Sequence, residues 1–160
     1  MGRVGAACLA KLGHKVIGVD VNENKVRLIN DGKPTIIEEG IVELCAEAHT
    51  SGRLSATTDV REAVHATDVS FIVVGTPSSK EEHMNLNYIF TVARQIGEAL
   101  KDKELRAESE ELKGGLRHIV AIRSTVLPGT NERVGEIIEE ASGLKRGVDF
   151  TIVSNPEFLR

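Results

Sequence analysis

The stretch His14-Lys15-Val16-Ile17-Gly18-Val19-Asp20 decides how this chain is read. Its centre is apolar and β-branched, it is too short for a helix, and it ends in a carboxylate. Strands buried in parallel sheets read this way, apolar throughout rather than alternating. Immediately upstream, Gly2 to Leu12 carries Val4, Ala6, Ala7, Leu9, Ala10 and Leu12 and stops at Gly13, which predicts a helix. Downstream, Asn22 to Asn30 predicts another, with Val26, Leu28 and Ile29 apolar and Gly32-Lys33-Pro34 as the stop.

The same alternation continues outward. Ile41 to Ala48 predicts a helix closed by Gly52, Arg53 to Thr57 a strand, and Val60 to Ala66 a helix capped by Asp59. Val69 to Val74 is the clearest buried strand, followed by the turn Gly75-Thr76-Pro77. A helix runs from Asn85 or Asn87 to about Lys101, and the charged stretch Lys101 to Gly115 reads as its solvated extension plus a loop. Ile119 to Ile122 is a strand leading into Ser124-Thr125. Pro128-Gly129-Thr130 opens a helix through Ala141 that Gly143 ends, and Asp149 to Ser154 is the last strand. The expected fold class is α/β: a doubly wound, mostly parallel sheet of the Rossmann-like kind.

Composition narrows the function. The 160 residues correspond to one domain, 1–160, with 41% hydrophobic and 28% charged residues, as in an ordinary globular protein. The net charge of −4 and an aromatic content of 3% argue against a nucleic-acid partner, which would need a basic stripe or stacking rings. No apolar run approaches the ~20 residues of a membrane span. No leader is visible, and two cysteines, Cys8 and Cys45, are too few for a disulfide scaffold, so a cytoplasmic location is expected. No metal-ligand spacing is present.

A dinucleotide fold places a strand and a G-x-G-x-x-G turn before its first helix. Counting from Gly5 leaves only seven residues before Gly13, whereas Gly2 leaves ten, a normal length for that helix. Asp20 also lies eighteen residues beyond Gly2, near the ~20 expected for the ribose acid. Gly2 is therefore read as the third fingerprint glycine. The first strand and first two glycines are expected upstream, with a complete variant domain as the alternative.

Four segments in order carry a resemblance: 13–20, then Phe71-Ile72-Val73-Val74-Gly75-Thr76-Pro77, then Arg123-Ser124-Thr125-Val126-Leu127-Pro128-Gly129-Thr130, then Asn155-Pro156-Glu157-Phe158-Leu159-Arg160. Together they resemble the NAD-binding domain of the nucleotide-sugar 6-dehydrogenases, the UDP-glucose/GDP-mannose dehydrogenase family. The third and fourth segments look more like the branch acting on GDP-mannose, with UDP-glucose as the alternative. The resemblance implies an enzyme that oxidises a nucleotide sugar's C6 alcohol to the carboxylate with NAD, through a cysteine-bound intermediate. It also implies a homo-oligomer in the full-length enzyme, and later domains that carry the catalytic cysteine and most of the substrate site. The chain is accordingly expected to be truncated at both ends and inactive alone.

Residue by residue, Asp20 would accept both ribose hydroxyls of NAD and repel a 2′-phosphate; alternatively it is a helix-start charge. Lys25 resembles a position on the cofactor's adenosine side. Thr76 and Thr125 follow strands at the sheet edge where such folds bind ligands. The resemblance gives Thr125 a contact to NAD and a hold on a catalytic water. It makes Glu157 the carboxylate that orients water or acts as base, and Phe158, Leu159 and Arg160 the start of the substrate-lining segment. Cys8 and Cys45 read as buried small hydrophobes. His14, His49, His65, His83 and His118 read as surface or strand-end residues. Two rivals remain: a non-catalytic nucleotide-binding module, and a hydroxy-acid or hydroxyacyl dehydrogenase on the same fold.

Overall fold

The computed structural model describes residues 2–33, 41–74, 86–109 and 118–156. The elements alternate as the apolar pattern dictates. They are α1 (Gly2–Lys11), β1 (Val16–Val19), α2 (Glu23–Asn30), α3 (Ile41–Thr50), β2 (Leu54–Thr57), α4 (Val60–His65), β3 (Val69–Ile72), α5 (Asn87–Ser109), β4 (His118–Ile122), α6 (Thr130–Ser142) and β5 (Phe150–Ser154). Every strand pair among the described residues is parallel, so the α/β class and its parallel, Rossmann-like sheets hold. The chain divides into two compact units, 1–63 and 64–160.

In the first unit β1 pairs with β2, Val16 opposite Leu54 through Val19 opposite Thr57. Helix α1 packs on α3 through Ala7, Ala10 and Ala48, whose small side chains are all but fully buried. Asn22 starts α2 by accepting the Asn24 and Lys25 backbone N–H groups on its side chain. At the other end of α2, the Asn30 amide donates to the Ala56 carbonyl (2.9 Å) and accepts from the Ala56 N–H (2.7 Å). One side chain thus satisfies both backbone groups of a β2 residue, as a neighbouring strand would.

In the second unit the strand order is β3-β4-β5. Its core is Ile72, Ile89, Ala93, Ile96, Leu100, Val120, Ile122, Val134, Ile137, Ile138 and Phe150. Helices α5 and α6 cross closely because Gly97 has no side chain: a Cβ there would sit 2.8 Å from Ala141 Cβ and 3.1 Å from the Ile138 carbonyl oxygen. The left-handed Gly143 (φ 77°) closes α6 by donating its N–H to Glu139.

Three expectations need correction, and the strand-end reading of His118 holds with one addition, its burial. β3 is not uniformly buried: Val69 and Phe71 are 39% and 45% exposed while Ile72 is 1% exposed. β3 is an outer strand of its sheet, and its side chains alternate. Cys8 is exposed, because Ala7 and Ala10 occupy the inward face of α1; Cys45 is half-buried. His118, the first residue of β4, is fully buried. The charged extension of α5 is not wholly solvated, since Lys103 is half-buried and donates to the Val64 and Thr67 carbonyls at 3.2 and 2.7 Å.

Candidate functional site

In the first unit the site is the carboxyl end of β1. Asp20 follows Val19 and donates its backbone N–H to Thr57, which prolongs the ladder by one step. Its Oδ1 accepts the Asn22 N–H at 3.0 Å, and Oδ2 lies 3.4 Å from Lys25 Nζ. The chain therefore turns around its own carboxylate, and Asn22 uses that turn to cap α2. Asp20 and Lys25 side chains are 29% and 40% exposed, so the pair is screened and adds little stability. Each carboxylate oxygen keeps a lone pair for a hydroxyl donor, and the negative charge disfavours a phosphate.

In the second unit the site is the carboxyl end of β4. Thr125 is exposed and lies outside any helix or strand. The residues before it are tied to both neighbouring strands. Ser124 Oγ accepts the Val74 N–H (3.1 Å) and donates to the Val74 carbonyl (2.8 Å). Arg123 Nη1 donates to Asn155 Oδ1 at 2.8 Å. A hydroxyl on such a strand end can reach a phosphate, a ribose or a bound water, as ligands of open α/β sheets gather there.

The structure brings Asp20 and Lys25 together, makes Gly2 the first residue of α1, and sets Thr125 at the β4 end. Thr76, Glu157, Phe158, Leu159 and Arg160 lie outside the described residues. Sequence reasoning missed Asn30, the Ser124 and Arg123 contacts, and the buried His118. The signal for Asn30, a polar residue closing a helix beside a strand, is too common to read. His118 Nε2 pairs with Ser70 Oγ at 2.8 Å, and Nδ1 has no well-aligned partner. Burial, helped by the Lys103 ammonium, pushes this imidazole down to about 4; Asp68 and the Thr67 backbone oppose that but do not offset it. Burial also raises the Cys45 thiol, which disfavours the thiolate. Among the described residues no cluster could hold a metal ion, and no helix is long and apolar enough to cross a membrane.

Parallel strands joined by helices make this a Rossmann-like α/β domain of the dehydrogenase kind. The chain belongs to the UDP-glucose/GDP-mannose dehydrogenase family, whose NAD binding domain it matches over residues 1–160. The cofactor is NAD. The chain is 52% identical to a GDP-mannose 6-dehydrogenase of Pseudomonas aeruginosa, over all of this chain and 34% of that protein. It is 40% identical to a UDP-glucose 6-dehydrogenase of Haloferax volcanii, again over all of this chain and 34% of that protein. A crystal structure of a ternary complex of GDP-mannose dehydrogenase from Pseudomonas aeruginosa superposes with a TM-score of 0.88 at 49% identity, over 99% of this chain and 34% of that one. The chain thus spans about a third of the length of the relatives it matches.

Proposed function

We propose that residues 1–160 are the cofactor-binding part of a GDP-mannose 6-dehydrogenase. The observation that carries this reading is the gap in similarity: 52% identity to a GDP-mannose enzyme against 40% to a UDP-glucose enzyme, over the same residues. The reaction removes two hydrides from the sugar's C6 alcohol and adds one water oxygen, which leaves a carboxylate and two reduced cofactors. NAD supplies the hydride acceptor. In this reading Asp20 accepts the ribose hydroxyls, Lys25 lies on the adenosine side, and Gly2 lets the first helix pack closely. Thr76 and Thr125 contact the cofactor, and Thr125 holds the hydrolytic water that Glu157 orients. Phe158, Leu159 and Arg160 begin the substrate wall. In this reading the nucleophilic cysteine comes from later domains, as the likeness to the family implies, and burial of Cys45 disfavours a thiolate there. The working enzyme is a cytoplasmic homo-oligomer.

The test is turnover by the protein expressed from the whole reading frame, however far it runs. Two NADH per GDP-mannose are expected, with UDP-glucose a poorer substrate. Preference for UDP-glucose would transfer the protein to the other branch. Hydroxy-acid turnover would move it to another dehydrogenase class. Tight NAD+ binding without turnover of any of these would make it a binding module.

A further inference from the structure

We infer that Arg123 and Ser124 form a brace that positions Thr125 and the exits of the two neighbouring strands. The β3–β4 ladder ends at the pair Ile72 and Ile122, and the β4–β5 ladder at Ile122 and Ser154. Beyond those ends the backbone has lost its regular partners, yet the contacts continue. The Ile72 carbonyl accepts the N–H groups of both Arg123 (3.1 Å) and Ser124 (3.4 Å), and the Ile122 carbonyl accepts that of Asn155 (2.9 Å). Side chains then carry the pairing a step further. The Ser124 hydroxyl holds both backbone groups of Val74, fifty residues away in sequence, and the Arg123 guanidinium holds the Asn155 side chain. The two residues that leave the central strand therefore grip the strand on each side. A strand end without such ties is free to fray; this one holds the backbone from which Thr125 projects.

Serine suits the first grip because one hydroxyl both donates and accepts. Alanine would leave the Val74 N–H and carbonyl to find water, while threonine keeps the hydroxyl. The inference rests on the proposed function only in reading Thr125 as a residue that faces the cofactor. Ser124 and Arg123 are positioning residues, so their effect must appear in binding and turnover as well as in stability.

The experiment uses the protein expressed from the whole reading frame. NAD+ affinity is measured by calorimetry and turnover by NADH formation, at a temperature well below each variant's unfolding midpoint. Ser124→Ala should lower NAD+ affinity or kcat about tenfold, the scale of one or two lost hydrogen bonds, and Ser124→Thr should recover most of it. Arg123→Ala and Asn155→Ala should each weaken the same quantity, and the double variant should be no worse than the worse single one. Wild-type NAD+ affinity and kcat in Ser124→Ala, with only a lower midpoint, would overturn the brace. Should that variant fail to fold, additive losses in the Arg123–Asn155 cycle would overturn it instead. A wild type that binds NAD+ but oxidises no nucleotide sugar would defeat the proposed function, and the brace would still be judged on NAD+ affinity.

Discussion

The two strand ends described above, one in each unit, are built in opposite ways. At the end of β1, Asp20, Asn22, Lys25 and the cap of α2 are all sequence neighbours, and the side-chain bonds span two to five residues. At the end of β4, the bonds of Ser124 and Arg123 span 50 and 32 residues. The first arrangement forms wherever the local chain turns. The second exists only once three strands lie side by side. Local geometry should therefore survive damage elsewhere, whereas the braced end should respond to anything that loosens the second unit.

The largest expected effect is a pH dependence confined to the second unit. His118 titrates at about 4 in the fold against 6.5 in the unfolded chain. Between those values the unfolded state binds the extra proton, so stability falls as pH drops from 6.5 toward 4 and is fully present above 6.5. The linkage amounts to at most about 3 kcal/mol. Denaturation midpoints at pH 7.5 and pH 5 should differ less in His118→Gln than in wild type; equal differences would show that His118 does not carry the effect.

Next in size is Gly97→Ala. The added Cβ meets the Ile138 backbone, which cannot swing away as a side chain could. A loss of about 2 kcal/mol is expected from overpacking. Denaturant unfolding would record it, and an unchanged midpoint would mean that α5 and α6 can separate freely.

Asp20→Asn tests the local end. It keeps the shape, removes the charge, and leaves Lys25 without its partner. NAD+ affinity should fall about tenfold, as for a lost charged hydrogen bond, and discrimination against NADP+ should shrink with it. Stability should barely change, because the pair is exposed to solvent. An unaltered NADP+ to NAD+ ratio would remove Asp20 from cofactor selection.

The smallest effect is expected at Gly5. A Cβ there meets nothing within 4 Å, in contrast to Gly97. Gly5→Ala should stabilise α1 by about 0.5–1 kcal/mol through helix propensity alone. A destabilised variant would show that Gly5, rather than Gly2, is the close-packing glycine of this helix.

Much of the fold was legible because its punctuation is local. Asn22, Asp59 and Gly143 act through bonds to their own helices, so residue type and position were enough to place those ends. Asp20 was legible for the same reason. Its turn and its lysine partner are contained within six residues.

The misreadings share the opposite cause. Cys8 sits among small apolar residues, but which face of α1 turns inward depends on α3. β3 reads as buried throughout because every apolar residue looks the same from the sequence, whereas alternate side chains of a strand point to opposite faces, and Val69 and Phe71 lie on the exposed one. Lys103 belongs to a charged run, yet the carbonyls that receive it lie on another segment of the chain.

By itself the sequence determined the alternation of helix and strand, the acid that ends β1, the Ser-Thr pair that follows β4, and the likeness to one family. These depend on periodicity, capping and turn chemistry, which act over a few residues. The tertiary structure alone decided that His118 is buried and neutral, that Gly97 lets two helices touch, and that Ser124 and Arg123 grip the strands beside them. Those depend on which distant segments come within hydrogen-bond or van der Waals reach, and only the packed sheet settles that.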